Sequence, residues 1–118
     1  MAKLSPNPLD NHEIARRLRM LRHMISGSEQ GSQLRFANRV GIEYRRWNNF
    51  ERGHPLPRDM AVHLIRAIPG ITLDWLYLGR DDSLTVKLQR ELREAGNALT
   101  LLEEGNAGPS RKATSSVR

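Results

Sequence analysis

Residues 32–53, SQLRFANRVGIEYRRWNNFERG, leave this chain few ways to fold. Gly41 stands between two short segments of helical periodicity. Glycine reaches the positive φ that ends one helix and lets another start close behind it. In the first segment Phe36, Ala37 and Val40 share one face. In the second, Trp47 and Phe50 lie about 60° apart on one side of a helix, at roughly 100° per residue. Tyr44, Arg45, Asn48, Asn49 and Arg52 occupy the other side. Such a pair of helices must lay its aromatics on a core, which leaves a face of guanidinium, amide and phenol groups for a partner.

The surrounding sequence predicts further helices and no strand, hence an all-α fold. A first helix is expected over 12–24 with Asn11 as its N-cap, burying Ile14, Leu18, Leu21 and Ile25. Residues 26–31, SGSEQG, read as a loop. Ser32 is placed to cap the second helix, and a third helix is expected over 43–51, stopped by Gly53. A Pro-rich turn at 54–57 precedes a fourth helix over 58–67, with Met60, Ala61, Leu64, Ile65 and Ile68 inward. Pro69-Gly70 ends that helix. Thr72 caps a short fifth helix that stops at Gly79, with Leu73, Trp75 and Leu76 closing the core.

A sixth helix is expected over 83–103. Its apolar residues Leu84, Leu88, Leu92, Ala95, Leu99 and Leu102 are spaced 4, 4, 3, 4, 3. This stripe is nearly heptad-like, and it suits packing back on the domain as well as pairing with a second copy. Gly96-Asn97 weakens its middle. The expected organisation is a flexible lead at 1–10, a helical domain at 11–80, a C-terminal helix at 81–104 available for dimerisation, and a disordered basic tail at 105–118.

Charge narrows the partner. The chain carries +6, and residues 11–58 hold ten arginines against four acids, Glu13, Glu29, Glu43 and Glu51. Residues 81–104 hold three basic and six acidic residues, so the excess lies on the segment with the two-helix pattern. A polyanion is the natural partner for such clustering. At 118 residues and 38% hydrophobic content the chain suffices for one small core. It has no cysteine, so no disulfide, thiolate metal site or cysteine nucleophile is available. His12, His23, His54 and His63 are scattered and make no metal-ligand pattern. Catalytic groupings and a glycine-rich phosphate loop are missing. Neither an enzymatic role nor a cofactor is therefore expected. No apolar run is long enough to span a membrane, and a cytoplasmic location is expected.

The residues facing outward on the third helix have the chemistry to read DNA. Arginine pairs bidentately with guanine, and asparagine with adenine, in the major groove. Arg45 and Asn49 are the leading base readers, with Tyr44 beside them. Gln33, at the start of the second helix, is placed to bind a phosphate and to touch the third helix. Arg46, Asn48, Arg52 and Arg58 are the other phosphate candidates. Arg16, Arg17 and Arg19 are read as a solvated face rather than a DNA contact.

Residues 14–79 resemble the Xre-type helix-turn-helix family, which includes the lambdoid phage repressors and Cro proteins. The marks are Gln33 and Ala37, Val40-Gly41-Ile42, Trp47-Asn48-Asn49-Phe50-Glu51-Arg52-Gly53, Pro57, and Thr72-Leu73-Asp74-Trp75-Leu76 ending at Gly79. The resemblance implies a five-helix domain that binds operator DNA as a dimer. It assigns base contacts to Tyr44, Arg45 and Asn49, a phosphate contact to Gln33, and a buried structural ion pair to Arg22 and Glu51. Two departures stand out: the loop at 26–31 is longer than usual in the family, and a helical extension follows Gly79. The expected function is a repressor-like regulator, a homodimer on a two-fold site in double-stranded DNA. The alternative is an antitoxin- or antiactivator-like module that binds a partner protein through the C-terminal helix.

Overall fold

The computed structural model describes residue 7 and residues 9–107. Among these residues it is all-α. Six helices follow one another: α1 (Asn11–Ser26), α2 (Ser32–Val40), α3 (Tyr44–Glu51), α4 (Arg58–Ala67), α5 (Leu73–Leu78) and α6 (Val86–Ala107). No helix among the described residues is long and apolar enough to cross a membrane.

The caps differ from expectation in two places. Asp10, not Asn11, caps α1, and its carboxylate accepts from the His12 N–H at 2.7 Å. Asn11 is the first helical residue instead. At α2 the cap position is Gly31, which donates no side chain. The Ser32 hydroxyl is buried and accepts from Arg22 Nη1 at 3.3 Å. Gly41 ends α2 as the sequence predicts, at φ 76°, with its N–H on the Ala37 carbonyl. Thr72 caps α5, its hydroxyl accepting from the Trp75 N–H at 3.1 Å.

Phe36, Trp47, Leu18, Leu21, Leu64 and Leu76 form the centre of the core. Phe36 and Trp47 meet with ring centroids 4.7 Å apart, so α2 and α3 lock across the Gly41 turn through their aromatics. Each such side chain adds about 1.5–3 kcal/mol by leaving water. Leu73 does not join them: it is 40% exposed. In a helix this short it stands roughly 200° from Trp75 at 100° per residue, on the side away from the core.

The C-terminal helix starts later and ends later than its sequence pattern suggests. Leu84 is buried but lies in the preceding turn, where its N–H binds the Asp81 carbonyl at 3.0 Å. Thr85 accepts from the Leu88 N–H and caps the new helix. Helical structure continues through residues 105–107, where disorder was expected; the rest of the expected tail and residues 1–6 and 8 of the lead lie outside the described residues.

The leucine stripe packs on its own chain, and α1 is the main neighbour of α6. Leu84, Leu92, Ala95 and Leu99 are buried there, whereas Leu102, the last of the stripe, is 47% exposed. Gly96 is part of the reason for this fit. A Cβ at that position would stand 3.2 Å from Met20 Cε, so its lack of a side chain admits α1 closely.

Candidate nucleic-acid interface

α3 is fixed from beneath by one carboxylate. Glu51 accepts from Arg22 Nε at 3.0 Å, Arg22 Nη2 at 2.9 Å, Gln33 Nε2 at 2.9 Å and the Trp47 indole N–H at 2.5 Å. The Arg22 and Glu51 side chains are 9% and 2% exposed. Buried charges are tolerable only when paired and fully hydrogen-bonded, and this carboxylate has four donors. Arg22 also donates from Nη1 to the Gly27 carbonyl at 3.0 Å. The pair expected from the family resemblance is thus present as a contact, and it joins α1, α2 and α3. Trp47 enters it as well, a bond not among the sequence-based expectations. The clue was its spacing of four residues from Glu51, neighbours on one helix face.

With Trp47 and Phe50 turned inward, the other side of α3 is left open. Tyr44 is 45% exposed, Arg45, Arg46 and Arg52 are exposed, and Asn48 and Asn49 are half-buried. Arg45 and Arg52 form no side-chain hydrogen bond or ion pair with any described residue. Arg46 lies over the Phe50 ring at 5.7 Å, a cation–π contact that directs its stem along α3. Gln33 is half-buried beside this face. One Nε2 hydrogen is given to Glu51, and the amide's second N–H keeps its donor capacity. Arg58 opens α4 and acts electrostatically on Tyr77 of α5, whose phenol is pushed above its ordinary pKa mainly by burial.

Three arginines expected to form a solvated face do not. Arg17 is only 8% exposed and donates from Nε to the Leu76 carbonyl at 2.9 Å and from Nη2 to the Tyr77 carbonyl at 3.0 Å. Burial lowers its pKa, and Glu13 one turn earlier pulls it back up. Arg16 donates to the Gly96 carbonyl at 3.1 Å and to the Thr100 hydroxyl at 2.5 Å, and pairs with Glu103 at 3.1 Å. Arg19 donates to the Glu51 carbonyl at 2.9 Å. The reason is geometric. Helix ends leave carbonyls without partners, and Arg17 and Arg19 meet those at the ends of α5 and α3, whereas Arg16 lies along the middle of α6.

The long loop lies beside the open face. Residues 28–31, Gln33, Leu34 and Tyr44 line a concavity of about 500 Å³. Main-chain hydrogen bonds hold the Glu29 carboxyl below its ordinary pKa, as does Arg35, which pairs with it at 2.8 Å. At the turn itself His63 of α4 hydrogen-bonds through Nε2 to the Val40 carbonyl at 2.6 Å. This pins the α2–α3 junction to α4, a role that nothing in the His63 sequence context announces. A second cleft of about 300 Å³ lies between α1, α5 and α6. Its polar groups are largely engaged with one another: Gln89 donates to the Asp81 and Leu84 carbonyls, and Arg93 pairs with Asp81. Among the described residues no group of three or more His, Asp or Glu is placed to hold a metal ion.

No family model, curated protein or solved structure matches this chain.

Proposed function

We propose that this protein is a sequence-specific DNA-binding transcriptional regulator of the Xre type, its α1–α5 forming a lambda-repressor-like domain. It acts in the cytoplasm as a homodimer on a two-fold operator and in a repressor-like manner. The observation that carries the reading is the open side of α3, where Arg45 and Arg52 have no side-chain partner among the described residues while Trp47, Phe50 and Glu51 root the helix in the core. α3 enters the major groove, Arg45 and Asn49 meet base edges, and Tyr44 contacts a thymine methyl or a phosphate. Gln33, Arg46, Asn48, Arg52 and Arg58 meet phosphates and fix register.

Fluorescence anisotropy on duplexes tiling the region upstream of the gene tests this, with salt titration and a scrambled duplex of equal length. One tile binds tightly over the scramble, with affinity falling steeply as salt rises. Arg45→Ala relaxes specificity at one position, a loss of about 1–3 kcal/mol there. Gln33→Ala weakens all duplexes alike. An unchanged cognate-to-scramble ratio in Arg45→Ala removes its assigned role, and equal weak binding to every tile counts against the regulator.

A second reading has one observation in its favour. Leu101 and Leu102 near the end of α6 are 70% and 47% exposed, an apolar surface suited to a partner protein, as in an antitoxin or antiactivator. A pull-down follows if no duplex is preferred.

A further inference from the structure

We infer that Arg19 and Glu103 make α6 a support for the C-terminal end of α3, so that the C-terminal extension helps to position the DNA-reading helix. The functional half of this inference rests on the proposed function above; the structural half does not.

The last carbonyls of a helix have no partner within it. At the end of α3 the Asn49 carbonyl is taken by the N–H groups of Arg52 and His54, and the Phe50 carbonyl by those of Arg52 and Gly53. The Glu51 carbonyl is met from outside by Arg19 Nη1 at 2.9 Å. A cation at that end also suits the helix dipole. Arg19 is held from its other side. Its Nε is buried with no hydrogen-bond acceptor among the described residues, and the compensating charge is Glu103 Oε2 of α6 at 3.4 Å. Glu103 is steadied in turn by Arg16, which is anchored on α6 through the Gly96 carbonyl and the Thr100 hydroxyl.

Glu51 is therefore fixed at two points. Its carboxylate is bound by donors from α1, α2 and α3, and its carbonyl by an arginine that α6 holds in place. An eight-residue helix has little stability alone, so its orientation depends on such contacts. Arg19 is a positioning residue. It acts through the end of α3 and does not itself touch DNA.

Glu103→Gln and Arg19→Lys in the full chain test this, at a temperature where both remain folded. The first removes the charge and keeps the shape. The second keeps the charge and loses the planar fork. Amide hydrogen exchange at Arg52, Gly53 and His54 is expected to rise about three- to tenfold, the scale of one ordinary hydrogen bond or a half-exposed ion pair, while α2 stays at the wild-type rate. The cognate-to-scrambled affinity ratio falls by a similar factor. Unchanged exchange at these amides in both variants overturns the inference. So does a rise shared equally by every helix, which marks general destabilisation. A loosened α3 end with an unchanged ratio overturns the functional half. If the wild type prefers no duplex, local loosening still sustains the support by α6, and it is the DNA reading that falls.

Discussion

The arginines of α1 and those of α3 are the same residue type in one small domain, and the fold uses them in opposite ways. Arg16, Arg17, Arg19 and Arg22 all reach inward acceptors: main-chain carbonyls at the ends of α3 and α5 and within α6, and the carboxylates of Glu51 and Glu103. Arg45 and Arg52 reach none among the described residues, and Arg46 leans on an aromatic ring. A positive cluster in a sequence is therefore not yet a ligand site. The guanidinium is the side chain best suited to bridge several carbonyls at once, so a helix that crosses the ends of its neighbours consumes arginines structurally. Of the ten arginines in residues 11–58, the four on α1 are committed in this way and Arg35 is paired with Glu29, so the face offered to a polyanion is carried by the arginines on and around α3.

The largest test of this contrast is Glu51→Ala. It strands a buried guanidinium together with the Trp47 indole N–H and the Gln33 amide. Breaking a buried pair from one side costs about 3–5 kcal/mol, a large part of the roughly 5–15 kcal/mol that holds a small domain together. Urea unfolding followed by tryptophan fluorescence should show a midpoint shifted far down or a chain already unfolded. A loss below about 1 kcal/mol, the level of a surface pair, would mean that the α1 arginines are not structural after all.

How much of this was legible in the sequence follows from the same contrast. Periodicity located all six helices, because an apolar stripe must face a core whatever that core is. The Gly41 turn was legible because a positive φ is a local requirement. Trp47, Phe50 and the open face of α3 followed from the helical wheel. The fates of Arg16, Arg17 and Arg19 were not legible, since the carbonyls they meet lie from 32 to 80 residues away in sequence. A carbonyl carries no residue identity to read. Gly96 reads as a weak point of the last helix in the sequence, because the Met20 side chain that it admits belongs to a helix distant in sequence. Leu73 misled for the opposite reason: in a six-residue helix one apolar residue can face solvent without breaking any pattern.

Arg17→Ala sharpens the contrast at a smaller scale. It leaves the Leu76 and Tyr77 carbonyls at the end of α5 without their donor, and unmet buried acceptors cost about 1–3 kcal/mol. Part of that is returned, since the guanidinium no longer has to be desolvated. The variant should unfold at lower urea yet show the wild-type dependence of DNA affinity on salt. A changed salt dependence in the folded variant would place Arg17 on the DNA after all.

The finest test sets Arg52→Ala against Arg16→Ala. Both remove one positive charge; Arg52→Ala should cost less than about 1 kcal/mol of stability, because Arg52 is exposed, and Arg16→Ala about 1–2 kcal/mol, because its part-buried bonds to the Gly96 carbonyl and the Thr100 hydroxyl are lost with the Glu103 pair. The sharper difference should appear in the salt dependence of DNA binding. Each phosphate neutralised by a protein cation releases condensed counterions, so the slope of log affinity against log salt changes by about 0.9 per contact. Arg52→Ala should flatten the slope by roughly that amount on cognate and scrambled duplexes alike. Arg16→Ala should leave it at the wild-type value, since its guanidinium is already balanced by Glu103 and turned onto α6. An equal flattening in both variants would show that the DNA senses overall charge rather than the outward cations of the α3 face. The distinction between the two sets of arginines would then hold for folding and fail for binding.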